Sequence, residues 1–164
     1  MIRTIQIASA CALFVSCGLP CFASSPQSRV DSFLGEISKT HQSAPERAAL
    51  LDIQNDAATC SSFYNIAITD EKRSGENPAQ IARHQAAYHV ASTLTSVLGK
   101  KTGMTNIALK AQQQMSSQKL RGFSRDPLAN LPVVVVRKYE PVCNQIIKNP
   151  KARFAYWVAI ERRR

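Results

Sequence analysis

Two widely separated cysteines, Cys60 and Cys143, constrain this chain more than any other feature. The sequence holds five cysteines, but Cys11, Cys17 and Cys21 sit in a stretch with the make-up of a secretory leader. Met1-Ile2-Arg3-Thr4 is a short positive start, residues 5–15 are mostly apolar, and Cys21-Phe22-Ala23 places small residues on either side of Phe22, as a signal peptidase requires. Residues 1–23 are therefore expected to be a signal peptide cleaved near Ala23, with a periplasmic or secreted product. In an oxidising compartment, two distant cysteines in one small domain are expected to form a single disulfide. On the chain-entropy model such a long loop is worth on the order of 4 kcal/mol. Two free buried thiols, or a bond between chains, are the alternatives.

The leader's apolar stretch is broken by Gln6 and Ser9 and ends at Gly18-Leu19-Pro20, too short for a stop-transfer helix. Phe14-Val15-Ser16-Cys17 also resembles a lipobox, with Phe14 where leucine is usual, so lipidation of Cys17 is a second processing route. No CxxC pair occurs, which disfavours thiol-exchange catalysis and cysteine-rich zinc sites.

Residues 24–164 read as one helical domain. Ser43-Ala44-Pro45-Glu46 is a capping box, and after it Leu50, Ile53, Ala57, Cys60, Tyr64 and Ala67 recur at helical spacing. Cys60 thus falls on a buried face, with Asp52, Gln54, Asn55 and Asp56 on the polar side. The polar run from Asp70 to Glu76, with a glycine at Gly75, is expected to be a loop that ends that helix near Thr69. Asn77-Pro78 restarts the chain as cap and first helical residue, carrying Ile81, His84 or Gln85, Tyr88, Ala91, Leu94 and Leu98 to a stop at Gly99. A more polar helix follows from about Thr105 to Gly122, with Ile107, Ala108, Ala111 and Met115 as its narrow apolar face. Ahead of all these, Val30, Phe33, Leu34 and Ile37 suggest a short amphipathic helix.

The run Val133-Val134-Val135-Val136 favours a strand on propensity, whereas Val135, Tyr139, Cys143 and Ile146 form a helical stripe. We read helix, split near Pro141, because no second strand pattern exists to pair with a lone strand. A last helix is expected from Pro150 to about Ile160, capped by Asn149. The fold class is then all-α: a compact bundle of four to six helices, with the Cys60–Cys143 bond tying the first long helix to the penultimate one.

Functional signals are sparse. The sequence has no GxSxG, HExxH, Walker loop or GxGxxG, and no CxxCH for covalent haem. His84 and His89 are five apart and diverge on a helix, so no metal and no cofactor is expected. The enzymatic alternative would draw on His84 and Tyr88, which share a face, with Asp52 or Asp56 as a carboxylate pair four residues apart.

Charge is the more informative pattern. Residues 24–80 carry five Lys and Arg against eight Asp and Glu, a balance of −3, while residues 81–164 carry fifteen against three, a balance of +12. That asymmetry points to an anionic partner, a protein or envelope component, met by Lys119, Arg121, Arg125, Arg137 and Lys138. Export and the lack of a binding motif disfavour nucleic acid. Phe154, Tyr156 and Trp157, set between Lys151-Arg153 and the closing arginines, suggest peripheral membrane or partner contact. The expected function is a small exported, non-enzymatic binding or envelope-associated module with a basic C-terminal half.

Overall fold

The computed structural model describes residues 25–39, 42–122 and 130–164, and among them every regular element is an α-helix. In chain order these are α1 (Pro26–Lys39), α2 (Ala44–Ser74), α3 (Pro78–Lys101), α4 (Asn106–Arg121), α5 (Val133–Lys148) and α6 (Pro150–Glu161). Residues 1–24, which contain the expected leader, lie outside the described residues, as do His41 and Arg125.

Local sequence sets the helix starts. The Glu46 carboxylate accepts from both the Ser43 backbone N–H (2.7 Å) and its hydroxyl (2.9 Å), and these bonds hold the Glu46 carboxyl below the usual carboxylate range. The side chains of Asn77, Thr105 and Asn149 cap α3, α4 and α6 by accepting from the backbone N–H groups of Ala79, Ala108 and Ala152.

The helix ends depart from expectation in instructive ways. Helix α2 does not stop near Thr69. It runs on to Ser74 and closes at Gly75, whose φ of 72° is the left-handed cap glycine adopts most readily. Asp70 and Glu71 are helical and buried rather than part of a loop, because each finds partners there. Gly99 is not a stop signal either. A Cβ at that position would sit 2.3 Å from Leu109 Cδ2, so the glycine permits the close approach of α3 to α4, and the turn is made at Gly103 (φ 81°). The valine run is helical, as read, but Pro141 lies inside a continuous α5 instead of splitting it. Its position on the exposed side lets water satisfy the carbonyl that proline leaves without a donor.

Helix α2 is the organising element. It packs against α3, α4, α5 and α6, while α1 crosses α3, α5 and α6 on another side. Leu50, Ile53, Cys60 and Tyr64 of α2 join Leu94 and Leu98 of α3 and Val135 and Ile146 of α5 in one core. Within it Cys60 and Cys143 form the disulfide, closing a sequence separation of 83.

The face of α4 is the clearest miss. Ile107 and Met115, expected to pack inward, are 81% and 63% exposed, and Leu109 and Leu120 are buried instead. Gln54, expected among the polar side of α2, is only 1% exposed. One cause accounts for both. Gln54 and Gln112 exchange a reciprocal pair of amide hydrogen bonds (2.6 and 2.9 Å), Gln112 also donates to Asn55, and the Ser62 hydroxyl donates to the Gln113 carbonyl at 3.1 Å. These bonds turn the amide side of α4 toward α2 and leave the Ile107 stripe outside.

Candidate functional site

The residues singled out by charge divide between two helices. Lys119 and Arg121 close the last turn of α4, and Arg137 and Lys138 lie on the exposed side of α5, where Lys138 rests over the Tyr139 ring at 5.3 Å. Lys110, Lys119, Arg137 and Lys138 form no ion pair among the described residues. Helix α4 holds no Asp or Glu along its 16 residues. Ile107, Ala111, Met115 and Lys119 follow one another at four-residue steps down its exposed side, with Lys110 beside them. Charge counting from sequence found Lys119; it did not reveal that the neighbouring apolar stripe is uncovered.

The three aromatics of α6 have different environments. Phe154 packs on Phe33 of α1, with ring centroids 5.7 Å apart. Trp157 donates its indole N–H to Asp56 Oδ2 at 2.7 Å, and the Arg153 guanidinium binds the same oxygen through Nε at 2.7 Å. Tyr156 alone is exposed, at 49%, under the Arg153 guanidinium. Asp56 therefore fastens α6 to α2. Asp52, one turn earlier, has its pKa raised by burial and then by the nearby Glu161 carboxylate.

A cleft of about 680 Å³ opens between the C-terminal part of α2, the start of α3 and α5. At its base the Tyr64 ring faces the His84 ring at 5.6 Å, and the Tyr64 hydroxyl lies 3.3 Å from Asn144 Oδ1, to which it donates. Burial, reinforced by Glu140, pushes the Tyr64 pKa up to about 12, so it remains a proton donor. Asp70 is saturated by Arg73 (3.0 Å) and by the Leu131 backbone N–H (3.0 Å). Glu71 is not. Its Oε1 accepts from Gln80 at 2.9 Å and lies 2.7 Å from His84 Nδ1, off the line of a hydrogen bond, while its buried Oε2 has no partner among the described residues.

Comparison with known proteins gives no matching family model, no matching curated protein and no matching solved structure.

The residues weighed for catalysis do not converge. His84 lines the cleft, but Tyr88, Asp52 and Asp56 do not, and Asp56 is committed to α6. No group of three or more His, Cys, Asp or Glu side chains among the described residues is placed to hold a metal ion. The cleft residues Tyr64, Gln80 and Asn144 were not marked from sequence as functional, and Glu71 was assigned to a loop. Only the His84 ring on the apolar side of α3 hinted at this place.

Proposed function

We propose that this protein is an exported, non-enzymatic helical binding module of the cell envelope, whose basic second half meets an acidic protein. The supporting observation is the outer side of α4. An uncovered apolar stripe containing Ile107 and Met115 lies beside Lys110 and Lys119 on a helix without a carboxylate. Large exposed apolar side chains rimmed by one sign of charge suit a partner surface that supplies both contact area and opposite charge. The leader-like residues 1–23 support export to a compartment where the Cys60–Cys143 bond forms and persists.

A photo-crosslinking side chain at position 115 in intact cells tests the reading against the same group at exposed Gln85 of α3. An acidic protein captured from position 115 but not from 85, and lost on Lys110→Glu/Lys119→Glu, is the expected result. Capture unaffected by the charge reversal, or none from position 115, rejects it. The mass of the mature protein reports cleavage after Ala23 and any lipid on Cys17.

A second reading, peripheral contact of α6 with a membrane, is favoured by the exposure of Tyr156 beside the exposed Arg162, Arg163 and Arg164. Liposome flotation that falls on Tyr156→Ser supports it; flotation that does not change removes it.

A further inference from the structure

We propose that the cleft between α2, α3 and α5 binds an organic cation, a guanidinium or primary ammonium on an alkyl stem, with the Glu71 carboxylate as its acceptor. A chain of net charge +10 here presents four carboxylates, Asp70, Glu71, Glu76 and Glu140, against Arg83, Lys148 and the Arg73 that pairs with Asp70. The local sign is opposite to that of the molecule, and clefts concentrate such a field.

Glu71 is the decisive residue. It is 8% exposed, and a buried carboxylate oxygen without a donor is an unfavourable arrangement that proteins rarely leave uncompensated. Gln80 donates to Oε1, beside which His84 Nδ1 lies at 2.7 Å without a hydrogen bond, and Oε2 is left to a donor from elsewhere. Both side chains are only partly buried and line the same cleft as Glu71. A guanidinium or ammonium brings N–H donors and positive charge together, which is what an ionised oxygen takes best. The Tyr64 ring adds a face that favours a cation. Leu131, Val136 and Ala87 supply an apolar wall for the stem. A metal ion is the poorer occupant, because the described residues offer no third ligand of the right kind. The volume falls within the range of small-ligand sites.

This site is independent of the α4 face, so either can fail without the other. The test uses the mature chain with its disulfide intact, titrated with agmatine as a free cation, a blocked Gly-Arg-Gly peptide as a chain-borne one, and succinate as the anionic control. The readout is the imidazole resonances of His84, with exposed His89 as the internal reference. A saturable shift of His84, but not His89, with agmatine or the peptide is expected, and whichever probe binds more tightly identifies the source of the cation. Glu71→Gln, which keeps the size and one acceptor oxygen, should weaken binding at least about tenfold. If that variant does not fold, the contrast between agmatine and succinate on the unaltered protein still decides. No saturable His84 shift with either cation at roughly millimolar concentration, an equal response to succinate, or unchanged affinity in a folded Glu71→Gln protein overturns the proposal.

Discussion

Helices α4 and α6 both pack along α2, yet they settle their amphipathic faces in opposite ways. In α6 the aromatics Phe154 and Trp157 turn inward, fixed by a carboxylate on α2 that accepts from both Trp157 and Arg153. In α4 the contact with α2 is made through neutral amides, Gln54 with Gln112, and the apolar residues Ile107 and Met115 face solvent. The comparison teaches that a polar partner at a helix interface can decide which side of a weakly amphipathic helix is buried. An unpaired amide or charge in the core costs more than a few exposed methyl groups.

The largest test of the contrast is removal of the disulfide. Cys60→Ala/Cys143→Ala should lower unfolding stability by about 4–5 kcal/mol, from the chain-entropy expression for a long loop, as read by urea denaturation. Amide exchange should rise more in α6 than in α4, because α6 packs on the disulfide-bearing α5, whereas α4 is tied to α2 by its own amides. Equal loss of protection in the two helices would refute that division.

Asp56→Ala should cost about 2–4 kcal/mol, since it leaves the Trp157 N–H and the Arg153 guanidinium partly buried without their shared acceptor. Trp157 is the one tryptophan of the chain, so its fluorescence reports directly whether α6 stays docked. Gln112→Ala should cost less, about 1–2 kcal/mol, because it strands the buried Gln54 amide without stranding a charge. Exchange in α4, not α6, is then the place to see the loosening.

The smallest effect concerns Asp52. Burial and Glu161 raise its pKa in the folded state, so the native protein holds the proton more tightly than the unfolded chain. Stability from this group is full below the ordinary aspartate pKa and is lost as pH rises through the raised value. Asp52→Asn should therefore stabilise the protein at neutral pH, within about 0.5 kcal/mol because water screens this partly exposed group, and the gain should vanish in acid. A gain that grows as pH falls would mean the sign is wrong.

Much of the helical framework was readable residue by residue. Ser43 with Glu46, Asn77 with Pro78, and Asn149 with Pro150 mark helix starts through interactions spanning three residues or fewer, so no tertiary knowledge is needed. The Val135, Cys143 and Ile146 stripe overrode the strand propensity of four valines for the same reason: periodicity is local. Reading Asp70 and Glu71 as a loop failed because their helical state depends on Leu131, Gln80 and His84, which lie 9 to 61 residues away. Gly99 was misread because its role is to admit Leu109, a neighbour that only the approach of α3 to α4 reveals. The candidate cleft was least legible of all. Tyr64, Glu71, His84 and Asn144 come from three helices, and none belongs to a motif.

What the amino-acid order alone determined is the helical class and the helix starts marked by Ser43, Asn77, Thr105 and Asn149, with Cys60 and Cys143 as the expected pair, since caps and hydrophobic period act within a helix. What only the tertiary structure decided is the direction each helix faces and the residues left exposed or unsatisfied. Those follow from long-range pairings, Gln54 with Gln112, Asp56 with Trp157, and Glu71 with His84, whose energies exist only once separate helices have met.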